Sequence, residues 1–250
     1  MEYLQFDSLR AGGIRHAITD RSADLSSRAI LDEPAAADRR DAAVRTVGLD
    51  PAGLVCAHQV HGAAVTRVRA ADRGRGARDP ASAIPATDAL IADEPWITLA
   101  MYFADCLPLL FACPTRGVFA LAHAGWRGTV ANVAGATVAA LGREFSVPAD
   151  EIVVGLGPCI RACCYEIGED VAAQLVRAAP SEPVAAIRSN RGFVGDIAAV
   201  NRAQLVAAGV SRDAISDSAI CTSCSVDRFF SHRAGHGEAG RFAAIIGRND

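Results

Sequence analysis

Four short apolar runs follow one another between residues 89 and 122, and they limit the fold more than any other feature of the chain. The runs cover residues 89–91, 97–103, 107–113 and 117–122. Apolar runs of this length, separated by polar or turn residues, are typical of buried β-strands. The most apolar window, residues 97–113, is interrupted by Asp105 and Pro108, which argues against a membrane span. The sequence therefore predicts a buried sheet and no transmembrane segment.

The hydrophobic period changes after Trp126. Five residues then fall on one helical face, namely Val130, Val133, Thr137, Leu141 and Phe145. A period of about 3.6 residues indicates an amphipathic helix. We expect this helix to pack on the sheet, with the strand-to-helix junction at residues 123–128.

The other segments alternate between strand and helix patterns without a linker or an internal repeat. Strands are predicted near residues 14–19, 152–156, 218–221 and 241–246, and helices near residues 34–48, 168–179 and 196–208. Because strands and helices interleave without strict alternation, we expect one α/β domain with mixed sheets over residues 1–250.

The charge composition narrows the range of partners. The chain of 250 residues has 25 basic and 28 acidic side chains, a formal net charge of −3, so nucleic acid is not an expected partner. Every basic residue is Arg, because the chain contains no Lys. This excludes a Schiff-base lysine and a Walker P-loop. Any phosphate must therefore be held by Arg or by backbone N–H groups.

The cysteines are expected to be reduced. The N-terminal residues lack a basic start followed by an apolar stretch, so we expect a cytoplasmic protein without a secretory signal. Reduced Cys can serve as packing residues, metal ligands or a nucleophile. The lone Cys221-x-x-Cys224 motif is compatible with a structural zinc or a redox site, whereas the adjacent Cys163 and Cys164 are interpreted as packing residues in a turn.

Three segments place polar residues where the pattern predicts burial, and they supply His61, Cys106 and His123. A buried polar group costs free energy unless it is paired or ligated. Two imidazoles and a thiolate from separate strand ends could form a zinc site that keeps its fourth position open, which is typical of catalytic zinc. Asp105 would then orient a ligand or move a proton. The alternative is that each His packs in the core and Cys106 is inert.

Several motifs together resemble one known family, the YfiH-type proteins, formerly called laccase-domain or polyphenol oxidases and now described as purine nucleoside phosphorylases. The match runs in order from about residue 54 to the C-terminus. The motifs are Gln59-Val60-His61-Gly62, Thr87-Asp88-Ala89, Ala104-Asp105-Cys106-Leu107-Pro108, Ala122-His123-Ala124-Gly125-Trp126-Arg127-Gly128, Gly157-Pro158-Cys159-Ile160 with Cys164-Tyr165-Glu166-Ile167-Gly168, and Cys221-Thr222 with Phe229-Phe230-Ser231-His232-Arg233 and Gly240-Arg241.

The resemblance implies a single-domain, four-layer α/β/β/α sandwich and a zinc ion bound by His61, Cys106 and His123. It also implies phosphorolysis of adenosine, inosine and methylthioadenosine to the base and ribose 1-phosphate, together with deamination of adenosine. The expected partners are thus purine nucleosides and phosphate. The catalytic candidates are Cys106, Asp105 and Arg127, and the substrate-binding candidates are Gln59, Arg241 and Arg21, with Arg127 and Arg241 suited to phosphate.

The N-terminal region departs from the family pattern. Residues 19–25 keep Arg21 but lack the usual glycine pair, and the Ser-Leu-Asn-Leu segment is shortened to Ser26-Ser27-Arg28-Ala29. If this region lines the ligand pocket, the change could alter substrate preference or turnover. His58 has no counterpart in the pattern and is interpreted as a solvated residue or a neighbour of the metal ligands.

Other functions remain open from sequence alone. Cys106 could be the nucleophile of a hydrolase or amidase acting on cell-wall precursors, with His61 or His123 as its base. A copper-dependent polyphenol oxidase fits less well, because the six His include no H-x-H pair, although copper can displace zinc in vitro. A non-enzymatic ligand-binding or redox-sensing module is a further alternative. The oligomeric state is open between a monomer and a homodimer.

Overall fold

The computed structural model describes residues 3–183, 185–190 and 192–249. Its strands are β1 Tyr3–Leu4, β2 Arg15–Thr19, β3 Leu54–Cys56, β4 Val65–Arg67, β5 Ala89–Ala92, β6 Ile97–Phe103, β7 Leu107–Cys113, β8 Val118–Ala124, β9 Val153–Leu156, β10 Glu166–Ile167, β11 Ala186–Ser189, β12 Gly192–Gly195, β13 Ile215–Asp217 and β14 Phe242–Arg248. Its α-helices are α1 Ser27–Asp32, α2 Ala36–Thr46, α3 Trp126–Val130, α4 Val133–Phe145, α5 Glu169–Ala178 and α6 Ile197–Ala207.

The strands form two large sheets and one small sheet. The first large sheet has the order β13-β9-β7-β8-β5-β4, and the second has the order β1-β2-β14-β6-β3. The small sheet has the order β10-β12-β11. Pairs β3/β6, β4/β5 and β9/β13 are parallel and the other pairs are antiparallel, so both large sheets are mixed as predicted.

The alternation of side chains along the strands separates the core into layers. Leu110 of β7 packs in one cluster with Met101 of β6, so the two large sheets face each other. Leu109, the preceding residue of β7, packs instead with Val138 of α4 on the opposite face. Because both faces are covered, β6, β7 and β8 are apolar almost throughout, which is why they appear in the sequence as uninterrupted runs.

The outer face of the second large sheet is covered by α2. Ile245 of β14 and Val44 of α2 belong to the same buried cluster there. Helices α4, α5 and α6 cover the outer face of the first large sheet, with Leu175 and Ile197 in its cluster. The layers are therefore helix, sheet, sheet and helix, and the structure confirms the α/β class and is consistent with the four-layer sandwich.

Two predicted elements are corrected by the structure. The single helix expected after Trp126 is divided into α3 and α4, because Asn132 adopts a left-handed conformation (φ 61°) and its side chain caps α4 by accepting from the Gly135 N–H. The strand expected at residues 218–221 lies earlier, as β13, since Asp217 accepts the Ala219 N–H and Ala219 has φ 54°, which ends the strand. Within the described ranges, no helix combines the length and the apolarity needed to cross a bilayer.

Candidate metal centre and active-site cavity

Three side chains converge at one end of the β7–β8 hairpin. Cys106 immediately precedes β7, His123 lies in β8, and His61 lies in the loop between β3 and β4. Their ligand atoms all lie within 4.8 Å of one another. The two imidazole rings meet edge to face, with centroids 4.8 Å apart. His123 is buried, Cys106 is half-buried and His61 is exposed, so the group reaches the protein surface at His61.

Asp88, which belongs to the Thr87-Asp88-Ala89 motif, contacts both histidines of this group. Its fully buried carboxylate accepts the backbone N–H groups of Val60, His61 and Gly62 at 3.2, 3.0 and 2.7 Å. The same carboxylate lies 2.9 Å from His123 Nδ1. This contact leaves His123 Nε2 available to a metal, which is the arrangement that orients histidine ligands in metal sites. The signal in the sequence was an Asp immediately before the apolar residues of β5.

The electrostatics favour a thiolate at Cys106. Burial raises the pKa of the Cys106 thiol, but the charge of His123 and the hydrogen bonds from both histidines outweigh it and bring the pKa to about 6. Burial lowers the pKa of His123, but the Cys106 thiolate and Asp88 outweigh this effect and raise the pKa to about 9. Asp88 is held ionised, because its hydrogen bonds from His123 and Gly62 lower the pKa that burial alone would raise. Near neutral pH the sulfur is therefore a metal ligand or a nucleophile.

The backbone around the centre adopts conformations that most residues avoid. His61 and Asp105 have φ values of 62° and 82°, in the left-handed region. A side chain at Gly125 would place its Cβ 3.0 Å from Cys106 Sγ and 3.0 Å from His61 Cδ2. The close approach of Cys106 and His61 thus depends on a glycine at position 125.

A cavity of about 460 Å³ borders the centre. Its wall includes His61 and Cys106, two aromatic residues and several basic residues, namely Trp126, Tyr165, Arg127, His232, Arg233 and Arg241. The Arg127 guanidinium lies over the Trp126 ring, 4.4 Å from its centroid. Aromatic faces beside guanidinium groups suit a ligand with a flat ring and an anionic part. His232 of the Phe229-Phe230-Ser231-His232-Arg233 motif is part of this wall.

The altered N-terminal segment lines a second cavity of about 460 Å³, together with residues 237–241. Arg241 belongs to both cavities, so the two adjoin. Ser26 caps α1 by accepting the Ala29 N–H at 3.0 Å. The shortened segment is therefore ordered as a helix beside the main cavity.

Asp105 lies in the cavity wall with both carboxylate oxygens engaged. It accepts the Thr222 hydroxyl at 2.6 Å and the Arg233 N–H at 2.7 Å. Its backbone carbonyl accepts the Ile160 N–H at 2.9 Å. These contacts fix the loops on either side of Cys106.

Gln59 and Arg21 lie outside the part of the cavity wall that the described residues define. The Gln59 amide exchanges two hydrogen bonds, each 3.0 Å long, with the backbone of Tyr102 in β6. Arg21 donates to the Val226 carbonyl and lies 5.2 Å from the Phe230 ring centroid. His58 is exposed, in agreement with its interpretation as a solvated residue.

Four cysteines outside this centre also come together. The sulfur atoms of Cys163, Cys164, Cys221 and Cys224 lie within 4.8 Å of one another, although both Cys163 and Cys224 are exposed. The turn predicted at Cys163 and Cys164 is present, but it directs their sulfur atoms towards Cys224.

A family model described as multi-copper polyphenol oxidoreductase laccase matches residues 5–249. The chain belongs to this laccase family. A relative named purine nucleoside phosphorylase YlmD, from Geobacillus stearothermophilus, is 42% identical over 198 residues, which cover 78% of this chain and 72% of the relative. A relative named adenosine deaminase RL5, from an unknown prokaryotic organism, is 32% identical over 199 residues, with coverages of 78% and 75%.

The fold agrees with a solved structure in the same family. The crystal structure of YlmD from Geobacillus stearothermophilus superposes with a TM-score of 0.94 at 33% identity, covering 100% of this chain and 97% of that chain. The resemblance drawn from the sequence motifs is thereby confirmed, and the names of these relatives indicate that this member of the laccase family is an enzyme.

Proposed function

We propose that this laccase-family member is a zinc-containing purine nucleoside phosphorylase that also deaminates adenosine. One observation carries the proposal: the group formed by His61, Cys106 and His123 borders a cavity that is also lined by Arg127 and Arg241. Relatives named purine nucleoside phosphorylase and adenosine deaminase support the same pair of activities. Adenosine, inosine and methylthioadenosine are the proposed nucleosides.

The donor set fits zinc. Two imidazole nitrogens and one thiolate are three ligands of the kinds that zinc prefers, and catalytic zinc sites commonly have three protein ligands. His61 is the exposed member, so the open side of the group faces the cavity. Zinc bound by these residues would supply Lewis acidity at neutral pH. Copper would also bind such a set strongly, so copper bound in vitro is expected and does not identify the native metal.

The chain's own residues account for binding and orientation. Arg127 and Arg241 are proposed to hold phosphate by charge-assisted hydrogen bonds, since the chain has no Lys for this task. Trp126 and Tyr165 offer aromatic surfaces against which a purine can pack. Asp105 is a positioning residue in this proposal, because both of its oxygens are already engaged.

The test is a turnover assay with each nucleoside, with and without phosphate. We expect phosphate-dependent release of the base with formation of ribose 1-phosphate, and phosphate-independent release of ammonia from adenosine. Cys106→Ala should abolish both activities, whereas Cys113→Ser, which removes a buried thiol at the far end of β7, should retain them. Absence of base release by the metal-containing protein would refute the phosphorylase proposal.

A thiol hydrolase is the second candidate, because the pKa of Cys106 is lowered to about 6 beside two histidines. In that case metal-free protein would be the active form, and a thiol reagent would inactivate it at Cys106. Retention of phosphorolysis only in metal-containing protein would exclude this candidate. The cytoplasmic location and the choice between monomer and homodimer stay predictions.

A further inference from the structure

A second cluster of metal-ligating side chains lies outside the centre described above. It consists of Cys163, Cys164, Cys221 and Cys224, whose sulfur atoms all lie within 4.8 Å of one another. Hydrophobic packing does not explain this cluster, because two of its members are exposed. Neither does hydrogen bonding, because thiols are weak donors and weak acceptors. A shared ligand explains why exposed thiols would be brought together.

The backbone aligns the two cysteine-bearing segments. Cys159 and Cys221 form an isolated parallel bridge, in which the Cys159 N–H donates to the Ile220 carbonyl at 3.3 Å and the Thr222 N–H donates to the Cys159 carbonyl at 3.1 Å. The turn that follows Cys159 brings Cys163 and Cys164 back towards this bridge. Cys163 and Cys224 are thus neighbours although they are 61 residues apart in sequence.

The distances suit a tetrahedral ion. Cys224 Sγ lies 3.6 Å from Cys163 Sγ and 3.3 Å from Cys164 Sγ. A zinc ion with four Zn–S bonds of about 2.3 Å requires S–S separations of about 3.8 Å. We propose that these four cysteines bind a structural zinc ion.

Such a site would be closed, with no coordination position left for a substrate, so its role would be to hold loops. Tyr165 of the cavity wall immediately follows Cys164, and Arg233 donates to the Cys164 carbonyl at 3.3 Å. Thr222 immediately follows Cys221 and donates to Asp105 at 2.6 Å, beside Cys106. The ion would therefore fasten one wall of the cavity to the segment that carries the candidate catalytic metal ligand.

The test is the zinc content of protein purified under reducing conditions without added metal. We expect two zinc ions per chain in the wild-type protein, one in Cys106→Ala and one in the Cys221→Ser/Cys224→Ser double variant. Cys113→Ser is the matched control and should keep two, since this thiol lies at the opposite end of β7 from Cys106 and belongs to neither group. None of these measurements depends on nucleoside turnover, so the proposal of this zinc site and the proposed function can be refuted independently.

Cobalt replacement provides a second measurement that does not need the double variant. In Cys106→Ala, bound cobalt should give the intense thiolate-to-cobalt charge-transfer absorption of a four-thiolate site. In the zinc form of the same variant, a thiol-binding mercurial should release one zinc ion as four thiols react. The proposal is overturned if Cys106→Ala binds neither zinc nor cobalt. It is also overturned if unreduced wild-type protein has lost two hydrogen atoms by mass and peptide mapping places a disulfide within the cluster.

Discussion

Asp88→Asn changes the shape of the candidate metal centre very little but removes half of the hydrogen bonds that organise it. Asp88 Oδ1 accepts the His61 N–H at 3.0 Å and lies 2.9 Å from His123 Nδ1. Asp88 Oδ2 accepts the N–H groups of Val60 at 3.2 Å and Gly62 at 2.7 Å. An asparagine amide replaces one of these oxygens with an NH₂ group. In one orientation this NH₂ group faces the N–H groups of Val60 and Gly62. In the other it faces the His61 N–H and His123 Nδ1, which is a donor when Nε2 binds a metal.

The magnitude follows from the two lost acceptor contacts. Hydrogen bonds to a charged group contribute about 1.5–3 kcal/mol each, so the free energy of unfolding of Asp88→Asn should fall by about 3 kcal/mol or more. Loss of a carboxylate that orients a histidine ligand typically weakens metal binding by about 10–100-fold. We therefore expect both a lower unfolding free energy and a weaker affinity of the His61, Cys106 and His123 group for zinc.

The assay combines urea unfolding with zinc competition against a chelator. Asp93→Asn is the control, because Asp93 is a more exposed carboxylate paired with Arg67 at 3.1 Å, and such surface pairs contribute about 0–1 kcal/mol. The control should leave zinc affinity unchanged. The reasoning is refuted if Asp88→Asn unfolds within about 1 kcal/mol of the wild type and binds zinc within about twofold of it.

Three further predictions concern other parts of the structure. Gly125→Ala places a Cβ 3.0 Å from Cys106 Sγ, so it should cost about 1–3 kcal/mol of stability and weaken zinc binding in the chelator assay; unchanged affinity would contradict it. Arg127→Gln and Arg241→Gln should each raise the KM for phosphate about tenfold or more while changing the KM for nucleoside less, as initial rates at varied phosphate would show. Burial, with a smaller contribution from a nearby arginine, lowers the pKa of His16 to about 4, whereas the unfolded value is about 6.5. The contribution of neutral His16 to the free energy of unfolding is therefore fully present above pH 6.5, and up to about 3 kcal/mol of it is lost as the pH falls to 4. Urea unfolding of His16→Gln should lack this part of the pH dependence.

The elements that the sequence predicted well are those whose signal is local. The runs that became β6, β7 and β8 are buried on both faces, so nearly every residue in them had to be apolar. The candidate metal ligands could be recognised from the sequence because Cys106 and His123 are polar residues beside or within these apolar runs. A buried polar residue in an apolar strand requires a partner, whatever the rest of the chain does.

The features that could not be predicted from the sequence depend on contacts between residues that are far apart in the chain. Asp88 resembles any acidic residue at a strand end until the fold places the His123 ring 2.9 Å from it. Gln59 belongs to a family motif, but its amide is used to hold a loop against β6, which only the register of that strand reveals. Cys163 and Cys224 are 61 residues apart in sequence, so no local pattern indicates that their sulfur atoms lie 3.6 Å from each other.

A hydrogen bond between Thr222 and Asp105 links the two candidate metal-binding groups. Thr222 donates to Asp105 at 2.6 Å, and each of these residues is covalently next to a cysteine of a different group, Cys221 on one side and Cys106 on the other. Asp105 is held at φ 82°, a conformation that persists only where surrounding contacts fix it. Its two partners, the Thr222 hydroxyl and the Arg233 N–H, both lie in the segment that follows Cys221. The position of Cys106 in the cavity therefore depends on how firmly that segment is held. The four-cysteine cluster, which includes Cys221, can affect the geometry of the candidate metal centre through this contact.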